Sequence, residues 1–306
     1  MRHHAVRVPA TTANLGPGFD AFGAAVSLGL VAVSGDRRDD RVTTEGQGAG
    51  EIPTGDDNLV WRSFVALCEA RGADVPDISL LVRNPIPLER GLGSSSAAIV
   101  AGLALARLLT AAPVGDRELV ALATDLEGHP DNVAPAILGG ITVTAWSDDG
   151  ELVIRRAQPH PRLRPVLLVP TDRQNTNEAR GVLPEHLDKA QVSTQAARAG
   201  HVLGALLGGW PADPRLAGDV LHEPPRLQVM VASGDLVRGL RAAGVHAWLS
   251  GAGPSIAAAI PRRDAVALAF CRGLGEQHGF EVHELDWDLS GLLPCPVDAA
   301  SVDGAG

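Results

Sequence analysis

The run PLERGLGSSSAAIVAG, residues 87–102, constrains this chain more than any other stretch. A proline and two glycines feed three serines, and small and apolar residues follow almost unbroken to residue 112. The pattern predicts a glycine loop opening a helix over 94–112, apolar on nearly every face and therefore central and buried. The first N–H groups of a helix lack intrahelical acceptors and carry partial positive charge. Glycines let such a backbone approach a ligand closely. Gly91, Gly93 and the amides of Ser94, Ser95 and Ser96 thus form a credible anion cradle, and serine hydroxyls can also bind a hard cation. The plainer alternative is a glycine turn that merely admits a helix, with Ser94 as its N-cap.

The cradle has no lysine. Lys189 is the only lysine of the 306 residues, it stands in PEHLDKAQVS, and there is no tyrosine. A Walker A loop needs a lysine directly after its glycines and a protein-kinase fold needs one on a strand, so both architectures are excluded. Nothing around Lys189 supports pyridoxal chemistry. The formal net charge of −10 argues against nucleic acid as a partner. No apolar run reaches the roughly 20 residues that span a bilayer. MRHHAVRVPA lacks the apolar core of a signal peptide, so no membrane association and a cytoplasmic location are expected. Cys68, Cys271 and Cys295 show no CxxC spacing; reduced thiols are expected, with Cys68 and Cys271 on apolar helix faces.

Periodicity and turn residues divide the chain further. Strands are expected at 5–9 and 30–34, with TTANLGPGFDAFG as a loop between them and turns over 36–57. A helix over 58–73, a strand at 78–83, a helix capped by Asp116 running to Gly128, and a strand at 139–146 follow. Residues 155–165, rich in Pro and Arg, read as a linker. Beyond it come a strand at 165–170, helices at 185–209 and 234–244, two strands around GAGPS, a helix at 262–278 and a last strand in FEVHELDW. GDVLHEPPR reads as a helix end with a loop. The order suggests α+β with two subdomains, 1–158 and 159–290, and a flexible tail at 291–306.

PLERGLGSSSAA resembles the second motif of the GHMP kinases. VPATTANLGPGFDAFG (8–23) resembles the first motif, and LSGAGPSIAAAI (249–260) the third, in the family's order. LEGHPDNVAPAILGG (126–140) and TNEARGVLP (176–184) are similar to runs of the family's homoserine-phosphorylating branch. The resemblance covers about residues 5–285. It implies a two-domain fold: an N-terminal α/β domain of the ribosomal-protein and translation-factor type, a C-terminal ferredoxin-like domain, and an active site between them. It also implies ATP and L-homoserine as substrates, Mg²⁺, and a homodimer.

On the residue level the resemblance assigns ATP binding to Asn58, Pro87, Arg90, Gly91, Leu92, Gly93, Ser94, Ser95, Ser96, Gly251 and Gly253, with Ser255 completing the third motif. Ser95 and Glu127 would hold Mg²⁺. Asn58 would lie near the adenine, and it also suits the N-cap of the helix it starts. Glu127 closes a helix, where its charge opposes the macrodipole. Asn14, Asp20, His129, Asp131, Arg180 and Arg226 would bind the amino-acid substrate, although HEPPRLQVM departs from the family's pattern around Arg226. Arg180 would also reach the transferring phosphate, and Thr176 would position the substrate. Asn132 stands where some relatives carry an aspartate. An amide cannot take a proton there, so catalysis by positioning, Mg²⁺ and electrostatics is expected. Two other readings stand beside this one: a GHMP kinase for mevalonate or a sugar, and a nucleotide-binding regulator without catalysis.

Overall fold

The computed structural model describes residues 3–110, 113–171 and 182–297. Two strands organise its first half. β1 (Ala5–Ala13) and β2 (Phe22–Asp36) pair antiparallel from Ala5↔Val33 to Ala13↔Gly23. Both are longer than the apolar runs that announce them. Thr11 and Thr12 look like loop residues in the sequence but are fully buried strand residues. Because β2 has 15 residues, it serves two neighbours along one edge: β4 (Ile78–Asn84) over Val31–Asp36, and β5 (Ile141–Trp146) over Phe22–Ala24.

β3 (Val42–Gly46) lies parallel to β4, within a stretch expected to be turns only. β6 (Leu152–Ala157) extends the sheet from β5, which shortens the expected linker at 155–165 to the residues before β7 (Leu163–Pro170). The other edge is β11 (Leu293–Cys295), antiparallel to β1. Residues 293–295 are therefore not part of a free tail. Arg7 holds Asp288 at 2.6 Å and Trp287 bridges Val26, so the chain returns to the first sheet before β11 begins.

Helix α2 (Ser94–Leu109) packs with α4 (Pro130–Leu138) over β1 and β2, while α1 (Leu59–Ala70) and α3 (Asp116–Glu127) pack on α2. The central placement of α2 follows from its composition: Ser96, Ala97 and Ile99–Ala106 are all buried. Gly115 caps α3 and Asp116 is its first helical residue, rather than the cap itself. α4 was not legible as a helix because nine residues carry two prolines. Pro130 suits the first turn. Pro135 cannot bond the carbonyl of Asp131, and β2 passes so near that oxygen that a Cβ on Gly23 would come within 1.7 Å of it.

The second sheet has the order β10-β7-β9-β8, all antiparallel, with β8 (His246–Leu249), β9 (Ile256–Pro261) and β10 (Phe280–Glu284). Its alternating residues serve two cores. Val166, Leu168, Ala247 and Leu249 face α7 (Val231–Ala242) and α8 (Ala265–Gln277). Leu167, Val169, Trp248 and Ala257 join the core of the first sheet and of α5 (Lys189–Leu206). The second sheet is thus fastened to the first through one continuous apolar core. α5 begins at Lys189 because Asp188 and Gln191 form a capping box there. The HEPPR segment is itself helical, as α6 (Glu223–Val229). Cys68 and Cys271 are buried free thiols. Among the described residues no helix is long and apolar enough to cross a membrane.

Candidate active site

The glycine loop joins β4 to α2 with three residues in the left-handed region, Glu89 (φ 54°) and the two glycines Gly91 (φ 73°) and Gly93 (φ 67°). Neither glycine tolerates a side chain. A Cβ on Gly91 would lie 2.1 Å from the Ser250 carbonyl, and one on Gly93 would lie 2.0 Å from Thr11 Oγ1. Gly93 is the cap of α2 and no side chain caps it, so Ser94 is not the N-cap. The first helical amide to find a backbone acceptor in the helix is Ala97, on Gly93 O at 2.8 Å. Those of Ser94, Ser95 and Ser96 precede it and supply the donors of an anion site.

The serines differ in what their hydroxyls do. Ser95 Oγ donates to Glu127 Oε2 and Ser96 Oγ to Glu127 Oε1, each at 2.9 Å. Ser96 therefore positions Glu127, beyond the amide role expected of it. Glu127 is the last residue of α3, as expected, and reaches the first turn of α2. Together Ser95 and Glu127 offer hard oxygen donors beside the anion cradle. That set suits Mg²⁺, which favours few protein ligands plus phosphate oxygens. No group of three or more His, Cys, Asp or Glu fit to hold a metal occurs among the described residues.

The third motif clamps the glycine loop. Ser250 Oγ donates to Gly91 O at 2.7 Å, Ser255 N–H reaches Arg90 O at 3.3 Å, and Gly251 N–H reaches Ala13 O at 3.2 Å. The three motifs, distant in sequence, meet in one cleft of about 470 Å³. Pro87, Arg90, Leu92, Gly251 and Gly253 line it, as do Ser94 and Ser95. Asn58 lies instead at an adjoining apolar pocket of about 260 Å³ that shares Glu89, Ser94 and Ser95 with the cleft. Its carboxamide caps α1 by accepting from Val60 N–H at 2.9 Å, so the capping role is realised.

Asn14 and Asp20 also line the cleft, both left-handed (φ 67° and 53°), a conformation that Asn and Asp accept better than most residues. Asn14 Nδ2 donates to Gly251 O at 2.9 Å and Asn14 Oδ1 accepts from Asp20 N–H at 3.1 Å. The start of α4 supplies the next group. His129 Nδ1 and Asp131 Oδ1 are 2.7 Å apart, and Asn132 Nδ2 donates to the same oxygen at 3.1 Å. Partial burial in the cleft and the charge of Asp131 raise the Asp20 carboxyl above its ordinary range. The hydrogen bond to Asp131 raises His129.

Thr11, which the sequence did not single out, donates to Asn132 Oδ1 at 2.7 Å. With Asp131 on its amide nitrogen, this fixes which way Asn132 points.

Arg226 closes the cleft from α6. Its guanidinium reaches Gly251 O and His222 Nδ1, both at 3.3 Å, and lies 5.7 Å from the Phe19 ring centre. His222 is fully buried and its Nε2 is 2.9 Å from Gly16 O, which assigns the N–H to Nε2 and leaves Nδ1 to accept from Arg226. Asp219 holds that turn by accepting from His222 N–H and Glu223 N–H. Glu223, fully buried, takes both oxygens onto Arg241 at 2.8 Å. Burial alone would raise its carboxyl, but the electrostatic attraction of Arg241 and His222 and the hydrogen bonds from Leu249 N–H and Arg241 together outweigh it, and the pKa falls. His222, Phe19 and Glu89 were not singled out, although Phe19 and Glu89 lie inside the first and second motif runs; the two prolines of HEPPR concealed the helical turn that joins His222 to Arg226.

The structure thus brings Asn14, Asp20, His129, Asp131, Asn132 and Arg226 into one cleft with the phosphate-type loop. Thr176 and Arg180 lie outside the described residues.

Residues 58–140 match the GHMP kinases N terminal domain. The chain is 40% identical over 271 residues to a homoserine kinase from Moorella thermoacetica, covering 88% of this chain and 87% of that protein. It is 38% identical over 304 residues to one from Streptomyces avermitilis, covering 96% of each. The crystal structure of homoserine kinase from Cytophaga hutchinsonii superposes with a TM-score of 0.83 at 26% identity, covering 96% of this chain and 98% of that one.

Proposed function

The chain belongs to the GHMP kinase family, among its homoserine kinases, and is an ATP-dependent kinase; from that premise we propose that it transfers the γ-phosphoryl of ATP to the side-chain hydroxyl of L-homoserine. The observation that carries the reading is that one cleft joins two kinds of groups. The glycine loop offers freed amides for phosphates. Asp20, Asp131 and Arg226 line the same cleft and suit the ammonium and carboxylate of an amino acid.

In this reading the amides of Gly91 and Gly93 and those opening α2 hold the triphosphate, and the apolar pocket beside Asn58 receives the base. Ser95 and Glu127 would hold Mg²⁺, which when bound neutralises charge on the phosphates. Asp20 and Asp131 take the ammonium. Arg226, helped by Arg180, takes the carboxylate or the transferring group, and Thr176 would position the substrate. His129 holds Asp131 in place. Asn132, fixed between Thr11 and Asp131, orients the substrate hydroxyl.

The hydroxyl oxygen forms the new P–O bond as the β,γ-bridging P–O bond breaks. Its proton leaves to a phosphoryl oxygen or to water, because no carboxylate replaces Asn132. The rate then comes from positioning and from fixed charges around the phosphoryl group.

The four-stranded antiparallel second sheet supports a ferredoxin-like C-terminal domain, the first sheet with its helices supports the ribosomal-protein-type N-terminal domain, and the division near residue 158 belongs to the same proposal. A homodimer is proposed with it. Mevalonate and galactose carry no ammonium for Asp20 and Asp131, which disfavours them as acceptors. ADP release with Mg-ATP against a panel of L-homoserine, mevalonate and galactose tests the reading. Release with L-homoserine alone supports it. Release with another acceptor and not with homoserine overturns it, and release with none points to the non-catalytic regulator.

A further inference from the structure

The catalytic cleft and the apolar pocket beside Asn58 have three lining residues in common, Glu89, Ser94 and Ser95. A nucleotide with its base in the pocket and its phosphates on the glycine loop passes its sugar across these three. Their side chains are not equally available. Ser95 Oγ is given to Glu127 at 2.9 Å. Ser94 Oγ accepts from Asn84 Nδ2 at 3.5 Å. The Glu89 side chain is exposed, and among the described residues no hydrogen bond or ion pair engages its carboxylate.

The backbone holds Glu89 in this place. Its φ of 54° is left-handed, a conformation that a β-carbon disfavours. Such a conformation persists where neighbouring contacts over-determine it. The next residue supplies them. Arg90 is buried, its Nε–H donates to Pro170 O at 3.3 Å, and its carbonyl accepts from Ser255 N–H at 3.3 Å. Arg90 therefore turns inward and Glu89 outward, at the edge that the cleft and the pocket share.

Charge decides which part of a nucleotide this carboxylate faces. It repels a phosphate. The pocket beyond it is walled by Leu30, Ile52, Val82 and Leu88, which suit the flat face of a base. The sugar remains. Its 2′- and 3′-hydroxyls are adjacent neutral donors, and an ionised carboxylate is an acceptor-only group with two oxygens. Dinucleotide-binding folds use an acidic side chain on the ribose for the same chemical reason.

We propose that Glu89 is a specificity-determining residue for the nucleotide: its carboxylate accepts from the ribose hydroxyls and sets the affinity for a ribonucleotide above that for its 2′-deoxy counterpart. The inference rests on the nucleotide half of the proposed function and is independent of homoserine.

The test titrates the full chain with ADP and with 2′-deoxy-ADP by calorimetry, with Mg²⁺ present and no homoserine. ADP should bind about tenfold more tightly than 2′-deoxy-ADP, because one hydrogen bond to a charged acceptor separates them. In Glu89→Ala that preference should fall to about onefold, with 2′-deoxy-ADP bound as in the original protein. Alanine meets the same positive φ, so the backbone cost is kept and the carboxylate alone is lost. Glu89→Gln, whose amide oxygen still accepts, should retain a preference of about threefold. A tenfold preference that survives Glu89→Ala would overturn the proposal, and so would equal affinity for the two nucleotides in the original protein. Equal tightening of both nucleotides in Glu89→Ala would overturn it too, because the carboxylate would then only repel phosphate. Equal weakening of both in Glu89→Ala and Glu89→Gln would place Glu89 in loop structure and likewise overturn it. Each of these results leaves the nucleotide reading standing. No saturable binding of ADP to the original protein would instead overturn that reading and the proposal with it.

Discussion

The Ser95 hydroxyl lies 2.9 Å from Oε2 of Glu127, tying the first turn of α2 to the last residue of α3. A carboxylate at a helix C-terminus is electrostatically unfavourable, and here it also accepts from Ser96 on its second oxygen. Both facts fit a carboxylate held for a cation beside the phosphate loop. Glu127→Gln should lower kcat about 100-fold and raise the Mg²⁺ concentration needed for half-maximal rate, with KM for homoserine little changed. Steady-state rates across a Mg²⁺ series check it. An unchanged Mg²⁺ requirement would remove Glu127 from the metal site.

Asn132 tests the absence of a carboxylate base. Thr11 donates to its oxygen and its nitrogen donates to Asp131. Asn132→Asp would place a second carboxylate on Asp131 and lose that second bond, so the rate should fall about 10-fold or more, and Asn132→Ala should fall further. A large gain from Asn132→Asp, read as kcat with homoserine, would show that a base helps here. Thr11→Val should reproduce part of the Asn132→Ala loss, because only the orientation of the amide is removed.

Asp20 stands in the left-handed region, which asparagine also accepts, so Asp20→Asn keeps the loop and removes the charge. KM for homoserine should rise about 30-fold, while KM for ATP stays near its original value. Equal increases in both would place Asp20 in loop structure rather than in substrate binding.

The His129–Asp131 contact makes a pH prediction. The folded-state pKa of His129 is raised above its ordinary value by the bond to Asp131. The stability from this pair is therefore fully present below about pH 6.5 and is lost as pH rises through the raised value. The ring is 40% exposed, so screening limits the contribution to at most about 1 kcal/mol. Urea unfolding of the original protein and of His129→Asn should differ most near pH 6 and converge by pH 9. A pH-independent difference would contradict it.

The glycine loop carries the sharpest steric prediction. Gly93→Ala would put a Cβ within 2.0 Å of Thr11 Oγ1 and 3.1 Å of Asn132 Oδ1, at a φ of 67°. The variant should lose about 2 kcal/mol or more of stability, and its ATP affinity should drop with it. Thermal unfolding with and without ATP reads both effects.

Much of this was legible in the sequence, for physical reasons. α2 is apolar on nearly every face, and only a central buried helix suits that pattern. Glycine positions that must take positive φ or approach another backbone, such as Gly91 and Gly93, stand out because other residues fail there. Less was legible where local signals compete. β1 and β2 run through Thr11, Thr12 and the Phe22–Ala25 stretch, whose small residues suit a strand pressed against helices as well as a loop. α4 hides behind Pro130 and Pro135. Thr11 and His222 act on Asn132 and Arg226 through contacts across 121 residues and across a proline-bearing turn, and no spacing rule reports such pairs. β11 is three residues long and owes its strand state to the open edge of β1.

The most direct test of the central claim is the ³¹P spectrum of the protein with Mg-ATP and L-homoserine. A phosphomonoester resonance should grow one-for-one with ADP, match authentic O-phospho-L-homoserine, and vanish when homoserine is omitted. ADP appearing only with inorganic phosphate, or a spectrum unchanged by homoserine, would contradict it.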